Sequence, residues 1–537
     1  MLRALLFLGA LGLGSSGSCE LDEAGSHYFD LDTYHASLVQ VDLDLKPGRR
    51  SRAAAGTSRQ RSQSMSADGY FYSTRGGDAT RSNAVDWSLP ADLSQQPAWI
   101  WKNTEDEQIR HSPLIDDLQN IYIASTFKVR KYSPVGQLLW TFQSPEQCNT
   151  SPALSKGKIY LRCAQARDFQ RVYALSMDSG TVLLNSTVPF RYGQDSHSFL
   201  LSGDHLFLPA VVQHIAGGMG GSDTLVAMNA SSGEMLWHYT VDEIMWNFSP
   251  SSPGDGTLLF GSVCGRVFRF SFDGQLLWEA GPKHGFRSGV CSTGGGSVGP
   301  NGLFYLAHGT PLAGVLGVID PFANIIGEHF IAAFNITNGQ EVWRVKLDRP
   351  YKANQYVAVG YLSEGGPLAA VAAIGETTGE PPKLLASGLA DYMSSPEKRR
   401  ELGASSLVNA VLALDAATGK QLWRWEEEAW DHLGAAGDEV EMLHMVDRDG
   451  RGEGGLCLPD NAGIPLINTK DGTVLASSSH AGNLTTIRDA NRNGVIEPEE
   501  VSAFAPGIAF LNSPSAAPGT LVVAPCWGDV YVFRSPA

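Results

Sequence analysis

The stretch GTLLFGSVCGRVFRFSFDGQLLWEAG, residues 256–281, carries the organisation of the whole chain in miniature. LLFGS (258–262) reads as a short strand. VFRF (267–270) is a second one with alternating character. The turn SFDG follows, and Gly274 and Trp278 then frame a Gly-x-x-x-Trp signature. Glycine at that point supplies the positive φ that a hairpin turn with a bulge requires.

Outward from this unit the pattern repeats. Six Gly-x-x-x-(Trp/Leu) signatures follow one another: Gly136…Trp140, Gly180…Leu184, Gly233…Trp237, Gly274…Trp278, Gly339…Trp343 and Gly419…Trp423. Short alternating strands precede them, as in VRKY (129–132), LVAM (225–228) and VLAL (411–414). Upstream of each lies another strand opened by its own turn. These are IYIAS (121–125), IYLRC (159–163), LFLPA (206–210), LLFGS (258–262), LFYLA (303–307), LLAS (384–387), VLASS (474–478) and LVVAP (521–525). Eight units of about 40 residues, each a meander of short strands, predict a propeller.

The recurring Trp has a structural role in such a ring. A sheet that is apolar on both faces cannot bury them alone. A large ring on its outer strand, with an N–H free to find a carbonyl, docks one sheet on the next. The last unit ends at DVYVF (529–533) without an outer strand or Trp. PAWIWKN (97–103) is a strand with Trp99 and Trp101 and no inner partners. It is expected to complete the last unit and remove two exposed edges. The expected fold is therefore all-β, an eight-bladed β-propeller closed by an N-terminal strand.

GTLLFGSVCGRVFRFSFDGQLLWEAG (256–281) and NAVLALDAATGKQLWRW (409–425) resemble the repeats of PQQ-type (pyrroloquinoline-quinone-type, quinoprotein alcohol dehydrogenase-like) β-propellers. The segment GGDATRSNAVDWSLPADLSQQPAWIW (76–101) is similar to the Arg- and Asn-bearing lead-in of such proteins. The resemblance covers residues 76–537 and implies the propeller fold. Because the family contains both enzymes and non-catalytic assembly factors, it does not imply one function. Its enzymes hold PQQ and Ca²⁺ in the central funnel above a pair of adjacent cysteines. This chain has no adjacent cysteines, and no motif here matches the metal-binding or catalytic residues of those enzymes.

The 537 residues are 43% hydrophobic and 18% charged, an ordinary globular balance. A net charge of −16 argues against nucleic acid and anionic membranes as partners. Met1 to Ser18 read as a secretory signal, with Arg3, an apolar run Leu5–Leu13, and small residues Ser16, Gly17 and Ser18. No later stretch is apolar and long enough to span a bilayer. Residues 19–75 form an acidic segment and then a basic, Ser-rich linker, with Arg49 and Arg50 as a candidate processing site. Six Asn-x-Ser/Thr sequons begin at Asn149, Asn185, Asn229, Asn247, Asn335 and Asn483 and agree with a secretory, glycosylated protein. The expected location is secreted or the secretory-pathway lumen, as a monomer.

Six cysteines follow Cys19. By proximity in the meander, Cys148–Cys163, Cys264–Cys291 and Cys457–Cys526 are the expected disulfides, one of 15 connectivities.

One motif carries chemistry. DANRNGVIEPEE (489–500) matches an EF-hand Ca²⁺ loop. Asp489, Asn491 and Asn493 stand at positions 1, 3 and 5, and Gly494 at the sharp turn. Val495 offers its carbonyl, Glu497 stands at position 9, and Glu500 is the bidentate ligand at 12. A polar turn with chance spacing is the alternative. The loop takes the place of the outer turn in the seventh unit, where a structural clip is favoured over a switch. A second acidic run, with Asp447, Asp449 and Glu453, is interrupted by Arg451 and reads as a solvated loop. His111, His197, His214, His284 and His308 fall near strand ends without ligand spacing. An insertion at 355–408, with a short helix expected near 394–402, is a candidate binding face.

Three functions stay open: a binding or scaffold propeller for a protein or glycan, with Ca²⁺ as stabiliser; a PQQ-dependent oxidoreductase with a diverged site; and a glycan-cleaving propeller with paired carboxylates in the funnel.

Overall fold

The computed structural model describes most of residues 68–375, residues 409–426, four strands between 444 and 478, and most of residues 514–535. Every element in them is a strand, and none is a helix able to cross a membrane. The strands form consecutive antiparallel meanders spanning 114–143, 153–188, 200–245, 257–280, 297–346, 358–426 and 444–478. A last sheet joins 515–534 to Trp99–Trp101. The architecture is a β-propeller.

The expected count of eight four-stranded blades is corrected. Seven sheets have four strands, and the sheet over 257–280 has three. Its inner segment carries Pro250 and Pro253, which lack the N–H a ladder needs. Only Ser251 pairs there, exchanging both backbone hydrogen bonds with Leu259 at 2.9 and 2.8 Å.

Ring closure follows the expectation. Trp99, Ile100 and Trp101 pair antiparallel with Val532, Tyr531 and Val530. Asp529 reinforces the joint, accepting from the Lys102 ammonium at 2.6 Å and the Asn103 N–H at 2.9 Å.

Two strand assignments change. The second strand of the sixth sheet is Leu368–Gly375, paired with Asn409–Asp415, and not 384–387. Its LAAVAAIG run is built largely from Ala, so alternation does not mark it. Val474–Ser478 is the fourth strand of its sheet, paired with Ile464–Asn468, rather than a second strand. A Lys-Asp-Gly turn suits either place in a meander. Residues 489–500 accordingly fall in the connection between the seventh sheet and Ser515–Ala517.

The Trp residues dock the sheets. Trp140 Nε1 donates to the Met177 carbonyl at 2.9 Å, Trp237 to Phe272 at 2.7 Å, Trp278 to Ile336 at 2.9 Å and Trp343 to Ala416 at 2.9 Å. Trp99, supplied by the closing strand, does the same to Pro134 at 3.1 Å. Each ring covers the signature glycine of the following sheet. A Cβ on Gly180 (φ +70°) would stand 2.8 Å from Trp140, and one on Gly274 (φ +90°) 2.8 Å from Trp237. Glycine is needed there twice over, for the left-handed backbone and for the close approach.

Candidate functional site

In a meander, the connections from second to third strand and from fourth strand to the next sheet leave at the same end. All the long connections are of these two kinds: 189–199, 211–221, 246–256, 281–296, 310–328, 347–357, 376–408, 427–443 and 479–514. The opposite end carries tight turns. The propeller therefore has two unlike faces.

The shaft between them is entered from the tight-turn face by the chain's own lead-in. Asp68 accepts from the Ser155 hydroxyl at 2.5 Å and the Lys156 N–H at 3.1 Å. Tyr70 OH accepts from Gly157 N–H at 2.8 Å. The segment then circles the inner strands at one level. Tyr72 pairs with Ile115, and Leu154 N–H donates to Ser73 O at 2.7 Å. Ser252 N–H donates to Ala79 O at 2.7 Å, Val298 N–H to Thr80 O at 2.8 Å, and Val359 N–H to Ser82 O at 2.7 Å. Asn83 N–H closes the circle on Gly76 O at 3.2 Å. The return limb packs Trp87 edge-on against Phe71, with centroids 5.5 Å apart.

Arg81 is the pin of this collar. Its side chain is fully buried, and its backbone takes φ +52°. Nε donates to Pro250 O at 2.8 Å, Nη2 to Phe199 O at 2.9 Å and Nη1 to Arg75 O at 2.6 Å. The third and fourth sheets are thus tied by one guanidinium. Burial lowers the Arg81 pKa to about 10, so it stays charged at neutral pH. Burial raises the Asp78 pKa against the hydrogen bonds it accepts from Thr80 and the nearby Arg81 charge.

Small hydroxyls mark the inner strands. Ser198 and Ser249 hydroxyls meet at 2.5 Å, the Ser251 hydroxyl donates to Gly296 O, and Ser515 donates to Pro113 O at 2.5 Å. Each bond ties one inner strand to the next. A recurring Ser-Pro, at Ser112-Pro113, Ser151-Pro152, Ser249-Pro250 and Ser513-Pro514, marks the neighbourhood of four inner strands in the sequence.

The six expected Ca²⁺ ligands, Asp489, Asn491, Asn493, Val495, Glu497 and Glu500, lie outside the described residues, as do Asp449, Glu453, His111, His197, His214 and His284. His308 is a packing residue. It is fully buried, stacks on Phe330 with centroids 5.4 Å apart, and fills the space a Cβ on Gly265 would need. The Cys148–Cys163 disulfide forms as expected. Cys264 is also disulfide-bonded, while Cys291 and Cys526 lie outside the described residues.

A quinone with a divalent cation needs converging carboxylates and an open axis. Among the described residues no three His, Cys, Asp or Glu gather as a metal site. The lead-in hydrogen-bonds along the inner strands, and Asp78 is committed to Thr80. The described residues do not fit such a group, and no chemistry is derived through it.

Residues 125–287 match a PQQ-type family model whose description is outer membrane protein assembly factor BamB. The resemblance to PQQ-type repeats thus holds over the first four sheets. No curated protein matches the chain. Among solved structures, the chain is similar to BamB from Moraxella catarrhalis, with 15% identity, 82% of this chain and 97% of that one covered, and a TM-score of 0.48. It is similar to quinohemoprotein alcohol dehydrogenase from Comamonas testosteroni, with 12% identity, 87% and 81% covered, and a TM-score of 0.53. For quinohemoprotein alcohol dehydrogenase ADHIIG from Pseudomonas putida HK5 the values are 12%, 88%, 82% and 0.53. At these identities the likeness concerns the fold.

Proposed function

We propose that the chain is a secreted binding or scaffold propeller that offers the face of long connections to a protein or glycan ligand, with Ca²⁺ held in residues 489–500 as a structural clip. The observation that carries this reading is the lead-in. A segment that hydrogen-bonds to the inner strands of six sheets braces a scaffold with one face of tight turns and one face of long connections. Such surfaces built from loops on a rigid scaffold are suited to recognition. The three-stranded sheet, with Ser251 bridged at its inner edge, supports counting it as an eighth blade.

The alternative, a PQQ-dependent oxidoreductase, draws support from the fold likeness to the two alcohol dehydrogenases. Its site would have to come from connections outside the described residues. One experiment separates the two readings. The full chain is incubated with PQQ and Ca²⁺, freed of excess quinone, and assayed for quinone absorbance and dye-linked oxidation of alcohols and sugars. The scaffold reading expects neither signal, and expects Ca²⁺ alone to raise the melting temperature through Glu500. Turnover of dye would overturn it. A melting curve indifferent to chelator would remove the calcium clip.

A further inference from the structure

Arg162 sits at the junction between the second and third sheets, on strand Lys158–Gln165, with no exposed surface. Its guanidinium makes three hydrogen bonds, all to neutral acceptors. Nε donates to Gln170 Oε1 at 2.7 Å, Nη1 to Thr150 Oγ1 at 3.1 Å and Nη2 to Pro209 O at 3.0 Å. A guanidinium has five N–H groups, so two remain. Three other buried arginines have carboxylates: Arg130 pairs with Glu107 at 2.5 Å, Arg269 with Asp255 at 2.7 Å, and Arg266 with Asp242 and Glu279. Among the described residues no carboxylate pairs with Arg162. Arg81 also lacks one, but three backbone carbonyls converge on it and Asp78 lies near.

A cation held away from water without a counter-charge is costly. Two further groups beside these acceptors carry hydroxyls, which can donate as well as accept. The Tyr192 ring lies against the guanidinium, with Cζ 4.2 Å from the ring centroid. Its hydroxyl has no partner and the residue is 7% exposed. Ser151, next in the chain to Thr150, is 1% exposed, and its hydroxyl also has no partner. The frame around them is fixed. Gln170 Nε2 donates to Arg191 O at 2.6 Å, Arg191 O also accepts from Val211 N–H at 3.0 Å, and Cys148–Cys163 brackets the segment that bears Thr150 and Arg162.

We propose that this junction is a binding site for a small oxyanion, a phosphate- or carboxylate-type group. The anion takes the two remaining N–H groups of Arg162 and the hydroxyls of Ser151 and Tyr192. Charge-assisted hydrogen bonds from a guanidinium fork and two hydroxyls are the donor set that such oxygens require. The site stands independently of the scaffold or oxidoreductase readings, since all its residues come from the second and third sheets and the connections flanking them.

The test is titration calorimetry of the full chain at fixed ionic strength in chloride buffer, with inorganic phosphate in one arm and acetate in the other. The expected result is one saturable site for at least one of the two anions, the arm that responds naming the oxyanion type. Tyr192→Phe and Ser151→Ala preserve packing, and each is expected to weaken binding by about fivefold to tenfold, the worth of one hydrogen bond. Arg162→Gln is expected to abolish it. If Arg162→Gln does not fold, the two conservative variants decide. No saturable binding of either anion overturns the proposal, and so does binding unchanged in both Tyr192→Phe and Ser151→Ala.

Discussion

The rim and the shaft of this propeller are held by opposite kinds of bond. At the rim, one device recurs, a Trp ring laid on the signature glycine of the next sheet, with its N–H on a carbonyl. It is local and pairwise, so each copy couples one sheet to one neighbour, as in other repeat folds. In the shaft, one segment present once reaches six sheets through backbone bonds and a buried guanidinium. The difference predicts how damage spreads. A rim change should weaken one junction, and a shaft change should loosen the inner strands together.

The largest effect is expected at Arg81. Arg81→Met removes three hydrogen bonds and leaves the buried carbonyls of Pro250, Phe199 and Arg75 without that donor. Unpaired buried groups cost about 1–3 kcal/mol each, so a loss of roughly 4 kcal/mol is expected in denaturant unfolding. Hydrogen exchange should rise at Leu154, Ser252, Val298 and Val359 alike. If exchange rises only in the third and fourth sheets, the shaft is no more cooperative than the rim.

Two glycines with nearly the same backbone separate docking from strain at the rim. Gly180 has φ +70° with Trp140 at 2.8 Å from a built Cβ, while Gly157 has φ +73° with nothing within 4 Å. Gly157→Ala should cost about 1 kcal/mol from the left-handed backbone alone. Gly180→Ala should cost about 2–3 kcal/mol, because the Trp140 ring must also shift. Equal melting temperatures for the two variants would mean that the rings do not clamp the sheets.

The closing joint adds a cluster of carboxylate–cation pairs, Glu107 with Lys128 and Arg130. Burial pushes the Glu107 carboxyl up, but hydrogen bonds from Arg130, Ser125 and Lys128 outweigh it and hold its pKa at about 2, against the ordinary 4.5. Arg130 in turn covers the Trp101 ring at 5.2 Å, so the cluster seats the closing strand. A depressed carboxylate pKa stabilises the fold above pH 4.5, and the contribution is lost as pH falls from there towards 2. Glu107→Gln should remove on the order of 2 kcal/mol at pH 7, after allowance for solvent screening, and flatten the stability profile between those pH values.

The same contrast explains what could be read in the sequence. The rim repeats, so Gly136, Gly180, Gly233, Gly274, Gly339 and Gly419 announce their junctions by period, and the unpaired strand at Trp99 announces the closure. The shaft does not repeat. Residues 72–83 look like a polar, Gly-rich stretch, and nothing in their spacing says that Arg81 and Asn83 are fully buried. Period also fails where side chains are uniform, as in LAAVAAIG at 368–375, and where one turn chemistry serves two positions, as before Val474–Ser478. The cation at Arg162 is invisible for a third reason. That no carboxylate among the described residues pairs with it is a property of the packed junction between Pro209, Gln170 and Tyr192, not of any local run.

The smallest effect, and the sharpest probe of the rim, is at the second junction, where Leu184 stands in place of Trp. There the signature glycine meets other atoms. A Cβ on Gly233 would lie 2.5 Å from Ser186 Cβ and 3.1 Å from Leu184 Cδ1, and the Ser186 hydroxyl donates to Gly233 O at 2.6 Å. Among the described residues, the carbonyl that a Trp would use, on Ala230, accepts only Tyr160 OH at 3.1 Å. At the junction of the fifth and sixth sheets the matching carbonyl, on Ala416, accepts both Tyr305 OH at 3.0 Å and Trp343 Nε1 at 2.9 Å. A carbonyl has two lone pairs, so Ala230 has room for a second donor. Leu184→Trp should therefore restore the rim bond and gain about 1 kcal/mol, a net hydrogen bond plus ring burial less the displacement of Ser186. Leu184→Trp with Ser186→Ala should gain slightly more. A loss in both variants would show that this junction is shaped around Ser186 and Arg162, and that the rim is not one device repeated but two.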